Sequence, residues 1–274
     1  MKTLKIIAEI GWNHLGDIGI AEKMIISAKQ SGANVAKFQL WDPKHLKKGP
    51  WDTDGRREIY EKASLNLDSI DKLKNCCAQN DIEFLLSAFG TKSAKIIKEI
   101  GLSSIKIPSH ETTNIKFLNF CSNNFKMIYF SSGASTKDEI IRAMEILKKN
   151  KLKVNLMHCV SSYPCDISNV NLKRLDWLRT VHEEIGLSDH TSDTITPAFA
   201  VMKGATVLEK HFTIDNELPG RDNKFALNPL NFRKMTNEIN LAYQSLIDHG
   251  VDYQDSEKDV VMNYRGRWEP HDYE

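Results

Sequence analysis

The sequence predicts an α/β protein, a (β/α)8 TIM barrel, and three observations predict it. Eight short runs rich in Ile, Val, Leu and Phe recur with little polar alternation, as strands buried on both faces of a parallel sheet read. Between them lie segments of helical periodicity at a spacing of roughly 25–35 residues, the βαβ rhythm of such a sheet. The C-terminal end of each run carries charged, hydroxyl or imidazole side chains, and in a barrel those ends form the functional rim. A doubly wound sheet is the weaker reading, because no GxGxxG follows the first strand.

Taken in order, Leu4–Ile10 ends in Glu-Ile-Gly-Trp-Asn-His (9–14) and leads to a helix over Ala21–Ser31 with Met24, Ile25 and Ala28 on one face. Asn34–Leu40 ends in Lys-Phe-Gln (37–39). Ile82–Ala88, between helices at 68–80 and 92–100, ends in Ser-Ala-Phe (87–89). Ser104–Ser109 runs into Lys-Ile-Pro-Ser-His-Glu (106–111) and a helix at 113–123. Lys126–Ser132 ends in Ser-Ser-Gly (131–133), ahead of a helix over Lys137–Lys149 with Ile140, Ile141, Ala143, Met144 and Leu147 at helical spacing. Leu152–His158 opens His-Cys-Val-Ser-Ser-Tyr-Pro (158–164) and a helix at 169–181. Glu184–Ser188 ends in Ser-Asp-His-Thr (188–191), ahead of 195–203, and Ala205–Lys210 in Glu-Lys-His-Phe-Thr (209–213), ahead of 229–246. Residues 1–250 make one barrel, and 251–274 make a polar tail or docking arm with no second domain.

One connection is too long. Residues 41–65 carry two Pro, two Gly, two Trp and many charges. A loop of this length reads as a lid, and its Trp and Arg content favours order.

Composition excludes several classes. With 37 basic and 36 acidic side chains the net charge is +1, so nothing asks for a nucleic acid or a membrane surface. No apolar run approaches the ~20 residues of a membrane span. Cys76, Cys77, Cys121, Cys159 and Cys165 are an odd number without CxxC, which reads as free thiols in a reducing cytoplasm. His45, His182, His249 and His271 read as surface residues.

Three constellations carry chemistry. His190 and His211 follow neighbouring strands and could hold a divalent cation with open positions, or simply cap and hydrogen-bond. Asp189 reads as a partner of His190 or a salt-bridge residue. Lys37 and Lys106 lie inside apolar strands, where a lysine rarely stands without a partner. They read either as core ion pairs with buried glutamates or, with Ser87, Ser109, Ser131 and Ser188 on nearby strand ends, as an anion site. Glu9, Glu111 and Asp222 are acids that could transfer protons if burial raised their pKa, or could neutralise the lysines or Arg221. Tyr163 is a substrate contact or a packed aromatic.

Together AEIGWNH (8–14), AKFQ (36–39), KIPSHE (106–111), SSG (131–133), HCVSSYP (158–164), GLSDHT (186–191) and EKHFTID (209–215) resemble the sialic acid synthase family over nearly the whole barrel. That resemblance implies a (β/α)8 fold and a metal-assisted condensation of phosphoenolpyruvate with N-acetylmannosamine or a related aldose. It implies His190 and His211 as ligands of Mn2+ or Mg2+, and Lys37, Ser87, Lys106, Ser109, Ser131 and Ser188 as the phosphoenolpyruvate site. Glu9, Tyr163 and Asp222 match sugar contacts, and Glu111 a carboxylate near the reacting carbons; Glu111, Glu9 and Lys106 are the expected catalytic residues. A cytoplasmic homodimer is expected.

Three departures stand out. His110 replaces a usual Gly beside Glu111, straining the backbone if that position has positive φ, or adding a new sugar or proton contact. Ser161 stands where an Asn commonly meets the sugar. The C-terminal domain common in the family is not expected here, so the 41–65 loop, with Trp51, Asp54, Arg56 and Arg57, or the Arg265–Trp268 tail would close the site. Asp54 is counted as a sugar contact. The alternatives are a related phosphoenolpyruvate synthase with another acceptor, a catalytically silent sugar-binding barrel, and a metal hydrolase, which would want more ligands than two histidines.

Overall fold

The computed structural model describes residues 4–150 and 152–268. Eight parallel strands close into a barrel in sequence order: β1 (Lys5–Gly11), β2 (Val35–Leu40), β3 (Glu83–Ala88), β4 (Ser104–Ile107), β5 (Met127–Ser131), β6 (Lys153–Cys159), β7 (Ile185–Asp189) and β8 (Val207–His211). Among the described residues ten α-helices accompany them: α1 (Ile18–Gln30), α2 (Arg56–Lys62), α3 (Leu67–Gln79), α4 (Thr91–Glu99), α5 (Ile115–Asn124), α6 (Lys137–Leu147), α7 (Arg174–Val181), α8 (Thr196–Met202), α9 (Pro229–Gln244) and α10 (Lys258–Asn263). The predicted fold class is the observed one.

Local chemistry sets the element ends. Asp17 accepts from the Ile20 amide to start α1, Thr136 and Glu139 form a capping box on α6, and Asn228 caps α9 ahead of Pro229 at its first turn. The fourth strand stops at Ile107, sooner than expected, because Pro108 has no N–H to offer the ladder and Ser109–Glu111 turns into a 3-10 helix.

Inward-facing side chains stack in layers. Ile7, Val35, Leu85, Tyr129, Met157 and Val207 form a closed apolar cluster across the barrel. Two residues further along each strand stand Glu9, Lys37, Ser87, Ser131, Cys159 and Glu209, all buried. A second, larger apolar core packs the helices against the outside of the sheet. The pairing of β1 with β2 shifts register between Glu9 and Gly11, a bulge that bends the strand at the rim. Gly11 sits there at φ 55°, where a Cβ would come within 3.0 Å of the Glu9 carboxylate.

The 41–65 connection is ordered, as its composition implied. It folds into two 3-10 turns and α2. Trp12, Trp41 and Tyr60 contact one another, and the Trp41 indole donates to the Tyr60 carbonyl at 2.9 Å, holding the lid from behind. Beyond α9, residues 255–263 form a 3-10 turn and the short, exposed α10. The last six residues of the predicted tail, including His271, lie outside the described residues.

Candidate active site

One cavity of about 1070 Å³ opens at the C-terminal mouth of the barrel. Glu9, Lys37, Ser87, Lys106, Ser109, Ser131, Ser161, Tyr163, Ser188, His190, His211 and Asp222 all line it. Parallel topology puts every strand's C-terminal end on one side, so residues scattered from 9 to 222 meet at one place.

The floor is an ion network. Lys106 donates to both oxygens of Glu209 at 2.8 Å, and Ser188 donates to the same carboxylate at 2.9 Å. Lys37 lies 2.6 Å from Glu9 and 3.7 Å from Glu209. Gln39 donates to the other oxygen of Glu9. Burial would raise the Glu209 carboxyl, but Lys106 and Lys37 outweigh it and hold it at about 2. Burial pulls the Lys37 ammonium down; Glu209 and Glu9 overcome it and raise its pKa. Burial, with Lys37 adding to it, lowers Lys106, against the pull of Glu209. Burial also raises Glu9, against the pull of Lys37. Of the two readings of the lysines, the core ion pairs are observed, and both side chains also line the cavity.

The hydroxyls differ. Ser109 Oγ accepts from the Gly133 amide at 3.0 Å, and Ser131 Oγ is buried with no partner among the described residues. Gly133 must be glycine, since a Cβ would meet Ser161, Cys159 and Ser109 at 2.5 to 2.8 Å. Buried ammonium groups, an unmatched hydroxyl and the open cavity above them make a floor suited to an oxyanion.

The two histidines stand side by side, ring centroids 5.4 Å apart. Nδ1 of His190 bonds the Val160 carbonyl at 2.7 Å, which fixes its tautomer and leaves Nε2 as a ligand nitrogen. Burial, then the neighbouring His190, pushes His211 well below its ordinary pKa, so it is a neutral imidazole, and its buried Nδ1 has no hydrogen-bond partner among the described residues. Asp222 Oδ2 lies 3.5 Å from that nitrogen, and burial raises its carboxyl to about 6. Burial would lower His190, but Cys159 and the Val160 carbonyl outweigh it and raise its pKa instead. Two adjacent imidazoles, each with a nitrogen that makes no hydrogen bond to the protein, fit a divalent cation that takes its other ligands from water and substrate. No group of three or more His, Cys, Asp or Glu suited to a metal occurs among the described residues.

Of the two readings of Asp189, the salt bridge is the one observed: it pairs with Lys210 at 2.6 Å and accepts from Thr191. Other positions differ from what was expected. Glu111 is absent from the cavity lining; its carboxylate accepts from Asn114 at 2.6 Å at the start of α5. The 3-10 turn aims His110 at the cavity instead, where it lies against Phe89 with centroids 5.1 Å apart. His110 is not among the positive-φ residues, so replacing glycine there carries no backbone strain. Asp54 is also absent from the lining; it is the counter-ion of Arg56 and lies 3.7 Å from Arg221. Asn13 and His14 belong to the rim sequence but are structural: Asn13 donates to the Phe212 carbonyl, and His14 is buried against Phe38. His182 is no free surface residue, since it bonds the Val154 carbonyl.

Of the two candidates for closing the site, the lid supplies Arg56, Ile59 and Tyr60 to the lining, and the described part of the tail supplies nothing. Residues without an assigned role also appear. Glu209 and Gln39 were visible in the rim sequences, but nothing local distinguished them. Cys159, one of the free thiols, lines the cavity: burial pushes it up, but His190, Ser109 and Lys106 bring it down to about 7.

Comparison with known proteins agrees with this geometry. The NeuB family matches residues 24–250. An N,N'-diacetyllegionaminic acid synthase of Campylobacter jejuni is 34% identical over 263 residues, covering 90% of this chain and 79% of that protein. A synthase of the same name from Legionella pneumophila is 32% identical, covering 86% and 71%. The crystal structure of N-acetylneuraminic acid (sialic acid) synthetase from Leptospira borgpetersenii, in complex with citrate, superimposes with a TM-score of 0.87 at 30% identity, covering 97% of this chain and 93% of that one.

Proposed function

The chain belongs to the NeuB family of phosphoenolpyruvate-dependent nonulosonic acid synthases, and from that premise we propose that it condenses phosphoenolpyruvate with N-acetylmannosamine or a related amino-sugar aldose in the cavity described above. The observation that carries this reading is a floor of two buried lysines and four serines beneath two free imidazoles in one cavity.

Lys37, Lys106, Ser87, Ser109, Ser131 and Ser188 bind the phosphate and carboxylate of phosphoenolpyruvate, and the Ser131 hydroxyl, which has no partner among the described residues, gains one there. Glu209 and Glu9 keep the lysines charged and close together until that anion arrives. His190 and His211 would hold a divalent Mn2+ or Mg2+, which would supply Lewis-acid polarisation of the acceptor aldehyde. Glu9, Ser161, Tyr163 and Asp222 orient the open-chain sugar, so C3 of phosphoenolpyruvate meets the aldehyde carbon; much of the rate gain is proximity. Water then adds at C2, and phosphate leaves by C–O cleavage. Glu111 supports the turn that carries Ser109 and His110, at a remove from the reacting atoms.

Exposed Phe199, Met202 and Leu241 on α8 and α9 offer a surface for the expected homodimer, which sedimentation tests. No helix among the described residues is long and apolar enough to cross a membrane. The five free, buried thiols suit a reducing compartment.

The deciding experiment is phosphate release from phosphoenolpyruvate with Mn2+ across a panel of aldoses. Release that requires both a sugar and the metal, with a nonulosonate mass in the product, is expected. Phosphoenolpyruvate that fails to bind at all would sink the reading.

A further inference from the structure

We propose that a second, small cavity adjoining His190 is a binding site for one structural water, and that His158, which holds this water, is a positioning residue for the metal ligand His190. The inference rests on the metal reading of His190 and His211 above. The small cavity has a volume of about 10 Å³, and His158, Val160, Cys165, Ser188, Asp189 and His190 stand in its wall. That is about the space one water molecule occupies, and a water stays in such a space only where polar groups meet it. His190 and Ser188 line the large cavity as well, so whatever fills the small one bears directly on the metal ligand.

His158 is fully buried near the end of β6, between Met157 and Cys159. Its Nε2 lies 2.6 Å from the Val170 carbonyl, which can only accept, so Nε2 carries the proton. Burial lowers its pKa, so the ring is neutral and Nδ1 is a bare acceptor. That nitrogen is buried and meets no hydrogen-bond donor among the described residues. The hydroxyl and thiol in the same wall are directed elsewhere: Ser188 donates to Glu209 at 2.9 Å, and Cys165 to the Asp166 carbonyl at 3.4 Å. A buried acceptor left unpaired is costly, and a water in the cavity satisfies it. Asp189 and Val160, in the same wall, carry acceptors for the second hydrogen of that water. The Val160 carbonyl is also the acceptor for His190 Nδ1 at 2.7 Å, and the Cys165 amide donates to the His190 carbonyl at 2.9 Å. The segment from His158 to Cys165 therefore grips His190 by side chain and by backbone. The water fills the gap within that grip, and its loss lets the imidazole turn away from the geometry a metal needs.

The test uses the full chain and two substitutions that separate the ring nitrogens. An Asn amide reaches the place of Nδ1, and a Gln amide that of Nε2. His158→Asn thus keeps the partner of the water and gives up Val170, whereas His158→Gln keeps Val170 and gives up the water. Calorimetric titration of the metal-free proteins with Mn2+ is expected to show Kd weakened at least about tenfold in His158→Gln and less than about threefold in His158→Asn, the scale on which outer partners of a ligating histidine act. The KM for phosphoenolpyruvate is expected to stay within about twofold in both, since the anion site keeps its own partners. Equal weakening in the two variants, or none in either, overturns the positioning role. A crystal structure of the unmodified chain is expected to show one ordered water within about 3 Å of His158 Nδ1. A dry cavity there overturns the whole inference while leaving the metal reading intact. Should neither variant fold, that structure decides alone. An unmodified chain that binds no Mn2+ strikes the metal reading itself, and the positioning role falls with it.

Discussion

The middle layer of the barrel and the layer above it lie two residues apart on the same strands, yet they do opposite work. Ile7, Val35, Leu85, Tyr129, Met157 and Val207 fill the interior with apolar volume. Glu9, Lys37, Ser87, Ser131, Cys159 and Glu209 point the same way, are equally buried, and form the cavity floor. Backbone geometry and burial are shared; only the side chains differ. The lower layer gains from water removed from apolar surface. The upper layer carries the cost of burying charge, which is tolerable only while each charge has its partner. Stability resides in one layer and chemistry in the next, within one turn of the pleat.

Four perturbations break or sharpen that contrast. Lys106→Met leaves Glu209 buried without its main partner. Activity is expected to fall at least about a thousandfold, and stability by about 3–5 kcal/mol, the usual result of orphaning a buried charge. Steady-state kinetics and urea unfolding measure both, and a stable, active variant would show that the polar layer is not a coupled network. His211→Ala is expected to cost roughly a hundredfold in turnover and to weaken Mn2+ binding by calorimetry, with the unfolding midpoint nearly unchanged; chelation of the unmodified chain should silence it, and added Mn2+ restore it. In the lower layer, Leu85→Ala should lose about 2–5 kcal/mol of stability through the cavity it leaves, while kcat stays within a few-fold at temperatures where the variant is folded. A large kcat loss there would mean that the two layers are not separable. The smallest effect is expected at Glu111→Gln, less than tenfold in kcat, because its carboxylate faces Asn114. A loss of about a thousandfold would return it to the reacting atoms.

Much of this was legible before any coordinates. The eight strands stood close to where the apolar runs put them, because a doubly buried parallel strand leaves a continuous apolar run. His190, His211, Lys37, Lys106 and the four serines could be named because strand ends in a barrel converge whatever their sequence separation. The partners of the carboxylates were not legible: Asp189, Glu111 and Asp54 stand in the rim sequences and the lid, and each turns to a partner that no local pattern names, Lys210, Asn114 and Arg56.

The sequence by itself determined the barrel, the end of it that is chemical and the residue types gathered there, since periodicity and chain direction are properties of the strand alone. Only the tertiary structure decided which charge answers which. The Lys106–Glu209 pair joins residues 103 positions apart, and Glu209 is held by a lysine on β4 and a serine on β7. Pairing at that range depends on side-chain rotamers converging across a closed sheet to within 3 Å, a distance no linear pattern encodes.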